Sequence, residues 1–161
     1  MGDEQPTLES NGDAPDTTPT RARYEQALAA TRGAESDSAL RERAAILYDF
    51  AAFMEREDLG YALDLWNQCI PLHEQMDDAR GKAETLSPIA KLTAEQGDVE
   101  RALDLLNQAI AIHEQIGNDW GKIDALIYMS FRVSEHGDEE RSRDLWNQAT
   151  TLMDTTQQHP G

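Results

Sequence analysis

The residues with chemistry to offer are two of the four histidines, His73 and His113, one cysteine, Cys69, and a large excess of carboxylates. Paired histidines suggest a shared metal ion. These two are forty positions apart, however, and equivalent residues of stacked helices stand about 8–10 Å apart. An imidazole–metal bond is about 2.0 Å long, so one ion cannot engage both. Duplication of a segment accounts for the pair, and no metal is expected. Cys69 falls where Ala109 and Ala149 fall in later copies of its segment, which makes it a small packing residue and not a nucleophile. Carboxylates number 31 with Asp and Glu together, and nothing singles out two of them as an acid and a base. No Gly-rich phosphate loop, HExxH, GxSxG or CxxC occurs. Without a site to argue from, the chain is expected not to be an enzyme and to carry no cofactor.

The segments that position these residues repeat. Ala62-Leu-Asp-Leu-Trp-Asn-Gln68 returns as Ala102-Leu-Asp-Leu-Leu-Asn-Gln108 and as Ser142-Arg-Asp-Leu-Trp-Asn-Gln148. Self-similarity at a forty-residue period marks a stacked-repeat architecture. The Asn-Gln dipeptides are expected to face outward.

Around each copy the apolar spacing is helical. Leu86, Ile89, Ala90 and Leu92 form one face, Gly97-Asp98 breaks the helix, and Val99, Ala102, Leu103, Leu106, Ala109, Ile110 and Ile112 form the buried side of the next. Gly117 supplies a left-handed stop, with Asn118 or Asp119 as the following cap. Leu126, Met129, Ser130 and Val133, then Gly137-Asp138, then Leu145, Trp146, Ala149 and Leu152 copy this order. Ile46, Leu47, Phe50, Ala51, Phe53 and Met54 begin the first copy, whose turn Glu57-Asp58 lacks glycine. Upstream, residues 20–32 read as a second helix without a first. Single helices cannot bury such faces alone, but stacked pairs can. Two prolines interrupt the pattern. Pro71 and Pro88 are each expected to kink a helix, or Ser87-Pro88 to restart one.

The net charge is −17, which argues against nucleic acid, because phosphate contacts need clustered Lys and Arg. Only three of the fourteen basic residues are lysines. Residues 1–19, with three prolines and no Lys or Arg, read as a disordered acidic tail. Residues 20–156 read as the helical domain and 157–161 as a short polar tail. A lone cysteine fits a reducing compartment. No signal-peptide pattern is visible, and no apolar run nears the roughly 18 residues of a membrane span. A cytoplasmic protein without membrane insertion is therefore expected.

These residues resemble the tetratricopeptide (TPR) repeat in its forty-residue form. The match is Leu86, Ile89, Ala90, Gly97, Ala102, Leu106 and Ala109 in the second repeat. In the third it is Leu126, Met129, Ser130, Gly137, Ser142, Trp146 and Ala149, and in the first Leu47, Phe50, Ala51, Ala62, Trp66 and Cys69. Small residues stand where helices cross closely. The resemblance implies an all-α, right-handed solenoid of antiparallel helix pairs: about seven helices, three repeats plus an N-terminal half.

It further implies a concave groove lined by the first helix of each repeat. Carried across, the groove presents Tyr48, Ala52 and Glu55, then Glu84, Ser87, Lys91 and Glu95, then Asp124, Ile127, Phe131 and Glu135. The carboxylate clamp of the family's chaperone-tail receptors is not matched, since Lys91 is the main cation among mostly acidic or neutral positions. The implied function is an adaptor or assembly scaffold holding a peptide or helix with basic and apolar residues. Alternatives are a small dedicated chaperone for an aggregation-prone client and a non-catalytic regulatory subunit. At the C-terminal end Leu145, Trp146, Leu152 and Met153 remain apolar and form a candidate docking face, with weak self-association as its expected use.

Overall fold

The computed structural model describes residues 19–33 and 35–158. They form seven α-helices, and no strand occurs among the described residues: α1 (Arg21–Ala30), α2 (Asp37–Met54), α3 (Leu59–Gln75), α4 (Ala79–Glu95), α5 (Val99–Gln115), α6 (Asp119–Glu135) and α7 (Glu139–Gln158). The expected disordered tail lies, apart from Pro19, outside the described residues. At the other end α7 carries Gln157 and Gln158, so the helical part runs two residues past the expected boundary. Each helix packs on its sequence neighbour, most closely within the pairs α2–α3, α4–α5 and α6–α7. The chain is an all-α solenoid of three helix pairs, with α1 as the preceding half-pair.

Short polar residues start the helices. Side chains of Thr20, Ser36, Asp58, Asp78, Asp98 and Asn118 each accept a hydrogen bond from the backbone N–H three residues on, which satisfies a donor that the first turn leaves unpaired. Asp138 does the same for Arg141 at 3.0 Å. The stops after α4, α5 and α6 use glycine in the left-handed region, Gly97 at φ 93°, Gly117 at φ 65° and Gly137 at φ 85°. There the cap nitrogen reaches back five residues, Asp98 to Thr93, Asn118 to His113 and Asp138 to Val133. In the first repeat Asp58 reaches back only four, to Met54, at 2.8 Å. That hydrogen-bonded loop closes over one residue fewer and holds no left-handed residue, which explains its missing glycine.

The core consists of two groups of buried residues. One centres on Leu47, Phe50, Trp66 and Ile89, the other on Leu106, Leu126, Met129 and Ala149, and Leu105 packs against both. Tyr24 of α1 stacks on Phe50 with ring centroids 4.9 Å apart, which ties the half-repeat to the array. Both α3 and α4 run through their prolines as single helices. The expected restart at Ser87 does not occur, because Asp78 caps α4 and Ser87 lies in its middle.

Candidate functional site: the face of the first helices

Burial fixes the register of the face formed by α2, α4 and α6. Leu47, Leu86 and Leu126 are equivalent buried positions, as are Phe50, Ile89 and Met129. The exposed positions then align in rows across the three helices. Tyr48, Ser87 and Ile127 form one row and Ala52, Lys91 and Phe131 another. The row at the helix C-termini is Arg56, Glu95 and Glu135. Glu55, expected in that row, is displaced from it because the stretch from Leu47 to Asp58 is one residue shorter than that from Leu86 to Asp98.

A cleft of about 430 Å³ is lined by Tyr48, Glu84, Ser87 and Asp124, so four of the expected groove residues meet there. Arg80, Trp120 and His113 line it too. Tyr48 also borders a second cleft of about 310 Å³, with Arg41, Asp49 and His73. Tyr48 is 47% exposed, Phe131 54% and Trp120 53%, while Ile127 is half-buried. Ala52, Glu95 and Glu135 are exposed. Glu135 bonds Arg132 at 3.0 Å.

Two of the expected recognition residues, Lys91 and Glu55, pair with each other. The Lys91 ammonium stands 2.7 Å from Glu55 Oε2, and Glu55 Oε1 accepts from the Trp66 indole N–H at 3.2 Å. Glu55 thus joins α2, α3 and α4, and it is not a free carboxylate of the groove. Tyr48 meets the edge of Trp66 at 4.6 Å between centroids. Sequence reasoning missed Arg41, Arg80, Trp120 and Tyr128. The first three form one row at the helix N-termini, and they were legible only once the register was known. Tyr128 is half-buried. Its hydroxyl and Arg132 Nε are buried without a hydrogen-bond partner. Burial raises the Tyr128 phenol above its ordinary value.

The histidines belong to the joints between repeats. His73 Nδ1 lies 3.0 Å from the Asp78 carboxylate, and His113 Nδ1 lies 3.1 Å from the Asn118 amide. Each ring also covers a glycine three residues past that cap, Gly81 or Gly121. Burial pushes the His113 imidazole below its ordinary value. The hydrogen bond from the Gly81 N–H is the main cause holding the Asp78 carboxyl below its own. A lysine–glutamate pair repeats beside each joint, Lys82 with Glu74 and Lys122 with Glu114. The motif His-x4-Asx-x2-Gly, present twice, was the signal for these joints.

Cys69 is buried in the core, and burial pushes its thiol up to about 12. A thiol in that state supplies no thiolate near neutral pH. Among the described residues no three His, Cys, Asp or Glu side chains gather as a metal site would need. The Asn-Gln dipeptides are exposed on all three second helices.

The candidate docking face at α7 divides. Leu145 is buried in the core, and Leu152 and Met153 pack against it. Trp146, equivalent to Trp66, is 44% exposed, because no helix among the described residues covers it as α4 covers Trp66. An open cleft of about 440 Å³ between α6 and α7 is lined by Lys122, Leu126, Asn147, Thr151 and Leu152. No described helix is long and apolar enough to cross a membrane.

Comparison places this geometry among known folds. No family model matches the chain, and no curated protein matches it. Among solved structures it is similar to a single-substitution variant of a protein assigned as a kinesin light chain of Podospora anserina, described as having nearly identical TPR-like repeats. The TM-score is 0.67 at 19% identity, over 84% of this chain and 66% of that one. The chain therefore spans just under two thirds of that protein's length. The fold is a TPR-like helical-repeat solenoid. Folds of this kind present extended binding surfaces.

Proposed function

We propose that the chain is a protein-interaction scaffold that holds a segment of a partner along the face of α2, α4 and α6. The observation that carries this reading is the set of exposed aromatic side chains there, Tyr48, Trp120 and Phe131, beside unpaired carboxylates. A merely solvated helix face would be polar, whereas apolar groups rimmed by charge suit a protein partner. Ile127 and Phe131 give apolar contact, and Asp124 and Glu95 select positive charge, so a segment with basic and apolar residues fits this part of the groove.

Binding of a peptide rich in Arg and Leu should weaken as salt rises, because its charged contacts are solvent-exposed. It should weaken further in Phe131→Ala combined with Glu95→Lys. Affinity that is indifferent to ionic strength and to that double substitution would remove the groove reading.

A further inference from the structure

We propose that the cleft over α4 is an anchor for one arginine side chain of the partner segment, held between the Tyr48 and Trp120 rings with its guanidinium on Asp124. This rests on the groove reading above and names the residue that fills the centre of the groove. The cleft holds about 430 Å³. Its floor is α4, and Tyr48 of α2 and Trp120 of α6 stand on its two sides.

Both rings are about half exposed. Tyr48 meets Trp66 only at an edge, and Trp120 stacks on no other ring among the described residues. The cation–ring contacts of the described residues are Arg21 over Tyr61 and Arg132 over Tyr128. Neither ring of the cleft therefore holds a cation of this chain. An aromatic face attracts a cation placed over it.

The charges in the cleft leave one carboxylate over. Arg80 pairs with Glu84 at 3.1 Å. Burial pushes the His113 imidazole down, so it adds no charge at neutral pH. Asp124 has no ion pair among the described residues, and Asp119 in the first turn of α6 offsets the positive end of that helix. Arg41, on the far side of Tyr48, lies in the neighbouring cleft with Asp49 and Asp78. The floor adds acceptors. Pro88 has no N–H to offer the Glu84 carbonyl four residues back, and both residues line the cleft. A planar, donor-rich cation suits aromatic sides and an acceptor floor. A guanidinium stacks on rings and donates from several N–H groups at once, whereas an ammonium is a compact point charge.

The Arg- and Leu-rich peptide tests this on the full chain, beside versions with every Arg replaced by Lys or by citrulline. Citrulline keeps the planar shape and loses the charge. The Arg peptide should bind most tightly. Trp120→Ala should weaken it about two- to fivefold, as loss of an exposed cation–ring contact does, and should erase its advantage over the Lys peptide. Asp124→Asn should weaken the Arg and Lys peptides alike, about threefold. Both residues are exposed, and circular dichroism checks that the helices persist. Location is read separately. The Trp120 indole N–H resonance, assigned by its loss in Trp120→Phe, should shift with the Arg peptide and stay in place with the citrulline one. Equal binding of the Arg and Lys peptides before and after Trp120→Ala, with affinity still lost in Phe131→Ala combined with Glu95→Lys, would overturn the anchor and leave the groove reading standing. Binding indifferent to all four substitutions would remove both.

Discussion

The His113 ring lies so close over Gly121 that a Cβ on the glycine would overlap its Cε1 and Nδ1 atoms. His73 stands in the same relation to Gly81. Each contact joins the end of one repeat to the first turn of the next, so the angle between repeats is set by a ring seated on bare backbone. Gly121→Ala raises helix propensity by about 0.5–1 kcal/mol, but it forces a methyl against a buried ring, and overpacking of that kind costs about 1–3 kcal/mol. The clash should win, giving a net loss in urea denaturation. His113→Ala in the same chain should recover part of it, with a coupling of about 0.5–3 kcal/mol. Strictly additive effects would show that the ring does not constrain the joint.

The two joints should differ in acid. His113 is buried and its imidazole is held below the ordinary 6.5, so the unfolded chain binds this proton first. Its contribution to stability is complete above 6.5 and declines as pH falls from there toward its folded value. Asp78, held below its ordinary 3.8, contributes stability above 3.8 that is lost as pH falls through its own lower value. Asn118→Asp would give His113 the carboxylate that His73 has. Nuclear magnetic resonance titration should then find the His113 value raised, and the loss of stability as pH falls below 6.5 should shrink. An unmoved His113 titration would sink this account.

The helix pairs and their stops were legible because the forces that form them are local. Glycine at φ 65–93° and the Asp or Asn caps announce themselves at fixed offsets, and the small residues Ala62, Cys69, Ala102 and Ala109 mark close crossings. The groove was legible only in part. Tyr48, Ile127 and Phe131 came from the resemblance to the tetratricopeptide repeat, and Tyr48 and Phe131 are exposed. The role of Glu55 did not, since it depends on a one-residue difference in turn length and on Lys91, thirty-six residues away. Long-range pairing of that kind leaves no trace in spacing. Trp120 and Arg80 were missed because one sits in the row of the other, and no common residue type reveals the row.

Identical letters in two copies conceal opposite environments, and this gives a direct test. Trp66 is 2% exposed and Trp146 is 44% exposed. Trp66→Ala should cost about 3–5 kcal/mol, the range for emptying a packed aromatic site. Trp146 keeps an edge contact with Phe131 at 6.1 Å between centroids, so Trp146→Ala should cost only about 1 kcal/mol. Acrylamide quenching of single-tryptophan variants should rank Trp146 well above Trp66. Equal costs and equal quenching would mean that α7 is covered as α3 is.

Tyr128 offers the opposite kind of prediction, a substitution that should not harm. Its hydroxyl is buried with no partner, although the Arg132 guanidinium lies over its ring at 5.3 Å. A buried polar group without a hydrogen bond costs about 1–3 kcal/mol. Tyr128→Phe deletes that group and keeps the ring, its packing and the cation above it. Stability should therefore be unchanged or rise by about 1 kcal/mol, the low end of the same range because the residue is only half-buried. Arg132→Met removes the guanidinium as well, with its bond to Glu135, and that exposed pair contributes at most about 1 kcal/mol. Thermal melts of the two variants separate the cases. A clear loss in Tyr128→Phe would show that the hydroxyl has a partner in solution, and the carboxylates of Glu55, Glu95 and Glu135, whose charges also raise the Tyr128 phenol, would be the first residues to substitute in search of it.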